Sequence, residues 1–215
     1  MVARRAPPTY PRFDDILRAE TEVIAVPKWK KRKLRMRKNH GWKAKPGNQI
    51  LVIDRGAVRF DFPGAWVMTM DTNETTGLTT VKLTDRPEPD DDCRLQVTHM
   101  YLPPGIDWSK LPLTEMLEQA MSGPDENEVL GKSLIVHEQR RYLELAWIET
   151  RFVEPNENRE ARSRTSLARR DDVQVLVTLD YWPEDATRVL PVFDEAMRSL
   201  RLGEYIQDPT RGPES

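Results

Sequence analysis

DVQVLVTLDYWPEDATRVLPVFDEAMRSLRL, residues Asp172 to Leu202, sets a strand and a helix side by side. In its first half Val173, Val175, Val177, Leu179 and Tyr181 hold alternate positions, the two-residue period of a strand with one buried face. In its second half the period changes. Ala186, Val189, Leu190, Phe193, Ala196, Met197 and Leu200 recur at helical spacing, and Pro191 inside that run predicts a bend or a late helix start. An apolar helix stripe needs an apolar sheet face to lie on, so this stretch predicts a helix packed on a sheet.

Upstream, the same two periods recur. QILVIDRGAVRFDFPGAWVMTM, from Gln49, reads as short strands broken at Arg55-Gly56 and Pro63-Gly64, with Val58, Phe60 and Phe62 alternating with Arg59 and Asp61. TTVKL is a further strand, and TDRPEPDDD an acidic, proline-containing loop. Cys93, Leu95, Val97, His99 and Tyr101 then alternate cleanly with polar neighbours. Leu113, Met116, Leu117, Ala120 and Met121 form a helical stripe, with Pro112 suited to its first turn and Gly123 to its end. KSLIVHE and RYLELAWIETRFV make a hairpin around Gln139 and Arg140, and EPNENR turns the chain into EARSRTSLARR. Short turns between most strands predict a mainly antiparallel sheet, and two helical stripes make the domain α+β.

VRFDFPGAW, from Val58, resembles the opening of the PsbP/DcrB-like fold, and VLVTLDYWPEDATRVLPVFDEAMRSLRL resembles its closing strand and long helix ending in a Ser-Leu pair. The resemblance runs from about Ile50 to Leu202. It implies an antiparallel sheet flanked by helices, an α/β/α sandwich. Members of that family bind other proteins or lack a known role and share no catalytic site, so the resemblance implies the architecture and no functional residue. Many members are exported or lipid-anchored, whereas MVARRAPPTYPRFDD has neither an apolar signal core nor a lipidation cysteine. The expected organisation is an extension over 1–47 with a short helix and a basic arm, the PsbP-like domain over 48–202, and a loose tail over 203–215. The short helix is read from Phe13, Ile16, Leu17, Val23 and Ile24, ended by Pro27.

Charge separates the arm from the body. The chain has 215 residues with 33 basic and 35 acidic side chains, a net charge of −2. Ten of the basic residues lie between Lys28 and Lys45, in a segment with no acid; the remainder holds 23 basic against 35 acidic residues, a net charge of −12. Trp29, Lys30, Lys31, Arg32, Lys33, Arg35, Arg37, Lys38 and Trp42 are the candidate binding residues of this arm. They suit nucleic acid, by phosphate neutralisation and base stacking, or an anionic membrane surface. KKRK also fits a nuclear import signal. The competing expectation is a strap folded onto the acidic body, which carries its own counter-charge at high effective concentration.

Residue chemistry excludes several enzyme classes. Cys93 is the only cysteine, so neither a disulfide nor a cysteine zinc site can form within the chain. Cys93 and His99 share a strand face, but six strand residues span about 20 Å, beyond the reach of a thiol–imidazole dyad. No glycine-rich phosphate loop and no nucleophile elbow is present. Glu88, Asp90, Asp91 and Asp92 lack the spacing of a calcium loop. Catalytic residues, metal and cofactor are therefore all expected to be none. Glu149 and Arg151, facing Arg162 and Arg164 across the Asn156 turn, form a candidate open sheet face, or else a ladder of cross-strand ion pairs. The reading is a non-enzymatic cytoplasmic binding or accessory protein with a protein partner. The alternatives are a nucleic-acid-associated protein using the arm, and an enzyme with an unrecognised pocket.

Overall fold

A computed structural model describes residues 41–206 apart from 75–76, 89, 106, 122–128 and 142. The expected helix over 13–26, arm residues 28–40 and the tail from 207 lie outside the described residues. In chain order the elements are β1 (Asn48–Ile53), β2 (Val58–Pro63), β3 (Val67–Thr72), β4 (Thr79–Thr84), β5 (Cys93–Tyr101), α1 (Leu113–Ala120) and β6 (Val129–Lys132). They continue with β7 (Val136–Arg140), β8 (Leu143–Glu154), β9 (Arg159–Arg170), β10 (Val173–Tyr181), α2 (Ala186–Ser199) and β11 (Arg201–Leu202).

Every described strand pairing is antiparallel. The large sheet has the order β3-β4-β5-β10-β9-β8-β6, with β7 also on β8, and a small sheet has the order β1-β2-β11. Sequence neighbours pair through tight turns, as in β8–β9, where Glu154 lies opposite Arg159 across four residues. Alternation decides what each face meets. Val81, Leu83, Leu95, Val97, Val175, Val177 and Leu179 face the main core, which Phe60 and Phe62 of β2 and Val189, Phe193, Met197 and Leu200 of the closing segment complete. On the opposite face Leu113 and Leu117 of α1 cover Ala146, Ile148 and Leu167. Helices therefore flank the sheet on both sides, as expected; the separate small sheet beside α2 has no counterpart in the sequence reading.

Three details depart from the sequence reading. The helix runs through Pro191 as one element. Pro191 is exposed, so water can take the carbonyl its missing N–H leaves free. Asp61, expected outward on β2, is only 6% exposed, because the end of α2 lies over it and its N–H donates to Ser199 Oγ at 2.8 Å. Strands β6 and β11 had no periodic signal: the first is short and bulged between Val129 and Gly131, and the second is two residues long.

The end of the chain closes the small sheet. Gly203, Glu204 and Ile206 donate their N–H groups to Ala57, Gly56 and Arg55 at 2.9, 3.0 and 2.9 Å. Gly56 has φ 102°, and a Cβ there would lie 2.2 Å from the Glu204 carbonyl oxygen, so the close approach admits only glycine.

Candidate interaction site

Strand β3 ends the large sheet, and among the described residues no strand pairs with its outer edge. Its register on β4 is regular over six residues, Val67 opposite Thr84 to Thr72 opposite Thr79. Met68 lies opposite Leu83 and Met70 opposite Val81. Directly paired residues point to the same face, so the two methionines prolong the core face that holds Leu83 and Val81. That face is sealed over β4 and open over β3: Leu83 is 0% exposed, Met68 50% and Met70 64%. Natural sheet edges are usually shortened, bulged or charged against strand addition. The opposite edge follows that rule in part: it is split between β6, four residues long and bulged, and β7, whose five residues carry His137, Glu138 and Arg140. Strand β3 carries one charge, Asp71, and no bulge or proline. It presents free backbone groups beside two flexible apolar side chains, the geometry of an acceptor for an extended segment.

The charged residues of the β8–β9 hairpin engage one another. Glu149 lies opposite Arg164, and Arg151 opposite Arg162. Glu149 accepts from Arg164 at 2.9 Å and from the Tyr181 hydroxyl at 3.0 Å, and approaches Arg162 at 3.7 Å. Arg151 bonds Glu160 at 3.1 Å. Arg164 also reaches Asp194 of α2 and stands over the rings of Trp147 and Phe193. This face is the one α2 flanks. The opposite face, which α1 covers in part, sets Lys82, Gln96, Thr178 and the buried Thr165 in one row across β4, β5, β10 and β9.

Of the arm, the described residues are the last five. The Arg59 guanidinium lies 4.3 Å from the centre of the Trp42 ring, and Lys45 bonds Glu195 of α2 at 2.5 Å. Arg198, with Lys45 behind it, holds the Glu195 carboxyl down at about 2. The arm thus joins the body by an ion pair and a cation–π contact.

A cleft of about 750 Å³ lies at the end of the sheet, between the acidic loop and the 155–158 turn; Arg94, Phe152, Asp180 and Trp182 are among its lining residues. Its charges are largely matched: Arg94 with Glu88 and Asp91, Arg86 and Arg188 with Asp92, and Arg159 with Glu184 while stacked 3.5 Å over Trp182. Burial pushes the Asp180 carboxyl above its ordinary value, against Ser163, Arg94 and Gln96. Cys93 is buried, and burial beside Asp85 pushes its thiol up to about 12, far from a nucleophile's range. His99 keeps company with Tyr101, edge to face at 5.9 Å.

One large antiparallel sheet with a helix on each face, and a small sheet beside one of those helices, define an α+β sandwich of the PsbP-like kind. The solution structure of the cyanobacterial PsbP protein CyanoP from Synechocystis sp. PCC 6803 superposes with a TM-score of 0.52 over 73% of this chain and 92% of that one, at 15% identity. That likeness shows the fold and bears out the resemblance read from the residues. The chain itself belongs to the Alr1449 family, whose model matches residues 49–206. It is 37% identical over 185 residues to the protein alr1449 of Nostoc sp. PCC 7120, covering 86% of this chain and 92% of that one. Among the described residues no helix is long and apolar enough to cross a membrane.

Proposed function

We propose that this is a binding protein, not a catalyst, and that it takes an extended segment of another protein as an added strand on β3. The observation that carries the reading is the regular six-residue edge with Met68 and Met70 standing 50% and 64% exposed on the core face. Backbone pairing supplies affinity at such an edge, and alternate side chains meeting the methionines supply selectivity. The cleft offers less: it is open, and its charged groups are mostly taken up by each other. Arm residues binding nucleic acid is the competing reading. It is the weaker one because Lys45 and Trp42 are already engaged by Glu195 and Arg59. A single buried thiol suits a reducing compartment, and the cytoplasm is the compartment we assign.

The test is selection from a displayed library of extended peptides on the full chain, followed by affinity measurement. Selected peptides should alternate apolar residues and should bind the Met68→Lys/Met70→Lys variant at least about tenfold more weakly, since both positions are exposed and the fold tolerates charge there. Peptides that ignore this double substitution and respond instead to Asp90→Ala in the cleft wall would contradict the reading.

A further inference from the structure

The basic arm has a second pattern beside its charge. Lys33-Leu34-Arg35-Met36-Arg37 alternates strictly between cation and apolar residue, the period of a strand with one apolar face. Strand β3 offers the complement. Its apolar face carries Met68 and Met70. Acids stand at both of its ends: Asp71 within the strand near one end with Glu74 just past it, and Asp90 in the 85–92 loop, which follows Thr84 opposite Val67, beyond the other. Among the described residues no cation pairs with Asp71, Glu74 or Asp90. The opposite sheet edge, formed by β6 and β7, carries one acid, Glu138, which is paired with Arg140.

We infer that the arm of this same chain is an occupant of the β3 edge, adding Lys33–Arg37 as an antiparallel strand with Met36 opposite Met68 and Leu34 opposite Met70. The inference rests on the reading of β3 as an acceptor edge and names its built-in regulator: a partner must displace the arm. Charge complementarity is one support, with the flanking cations Lys30 to Arg32 and Lys38 falling toward the acids at the strand ends. Reach is the other. The arm meets the body at Trp42, over Arg59. From Arg59 along β2 to Pro63 is about 13 Å, and the Pro63–Trp66 turn, closed by Trp66 N–H to the Pro63 carbonyl at 3.1 Å, adds less than about 7 Å. Met68 lies two residues beyond, so the path along the chain is about 27 Å. The turn folds that path back on itself, and six residues from Trp42 to Met36 span up to about 20 Å, which brings the segment to the Val67 end of β3 before the Thr72 end. Arriving from that end makes the pairing antiparallel.

Paired cysteines in the full chain test this. Native Cys93 is buried with a raised thiol and does not compete. Under mild oxidation, Met36→Cys/Met68→Cys and Leu34→Cys/Met70→Cys should close within one chain at least about tenfold faster than Met36→Cys/Leu134→Cys, whose partner is on the far edge. Salt at 1 M should slow the first two, because about 3 Å of screening length removes the attraction. Equal rates for all three pairs would overturn the inference, as would closure only between chains, which would make a second copy the occupant. Peptide selection at β3 without intrachain closure would overturn the arm assignment and leave the binding reading standing. Closure at β3 with no peptide ever selected there would uphold the arm and sink the binding reading.

Discussion

Asp180 lies on β10 between Arg94 of β5 and Ser163 of β9, and burial raises its carboxyl above the ordinary value of 3.8. The sign follows from proton uptake. The folded chain holds this proton more tightly than the unfolded one, so the group's contribution is complete below 3.8 and is lost as pH rises through the folded value. Asp180→Asn keeps a polar side chain toward Ser163 and Gln96 without the charge. Its melting temperature should therefore fall less between pH 3.5 and pH 7 than that of the parent chain. An identical pH dependence in the two would show that Asp180 titrates as it does in water. Little of this could be read in the sequence, where Asp180 holds an ordinary outward position of an alternating strand. The alternation of Glu149, Arg151, Arg162 and Arg164 was readable from the hairpin, but which helix lies over them is a property of the assembled layers.

At the scale of elements, α2 anchors the fold. Phe193 is 3% exposed and shares the main core with Val175, Val177, Met197 and Leu200. Phe193→Ala should cost about 3–5 kcal/mol by lost transfer energy and the cavity left behind. Denaturant melts check this, and a loss under about 1 kcal/mol would show that α2 is not core. Strands and helices with long, clean periods were legible because burial imposes the period: β5, β10, α1 and α2 lie where alternation and helical spacing put them. Elements held by a few long-range bonds were not. Nothing in VLGK or Arg201-Leu202 marks a strand; β6 exists because β8 offers an edge, and β11 because β2 does. The exposure of β3 was hidden for a related reason. VMTMDT has the composition of a half-buried strand, and only the order of the sheet makes it an edge.

At the scale of the molecule, the chain joins an acidic body to a basic arm, and a sheet whose two edges are unequally defended. One edge is broken between a bulged β6 and a charged β7; the other is continuous and carries exposed methionines over the prolonged core face. The described end of the arm, residues 41–45, is fastened to the body by Lys45 and Trp42. On the proposed reading the partner pairs with the open edge of β3, whereas the charges that line the cleft are largely matched with one another. Hydrogen exchange of the full chain with and without a selected peptide tests that claim most directly. Binding should slow exchange in residues 67–72, where the peptide pairs with the outer amides of β3 more tightly than the arm it displaces, and leave residues 129–132, 85–92 and 155–158 unchanged. Slowing confined to 85–92 and 155–158, with β3 exchanging as before, would place the interaction in the cleft and contradict the account.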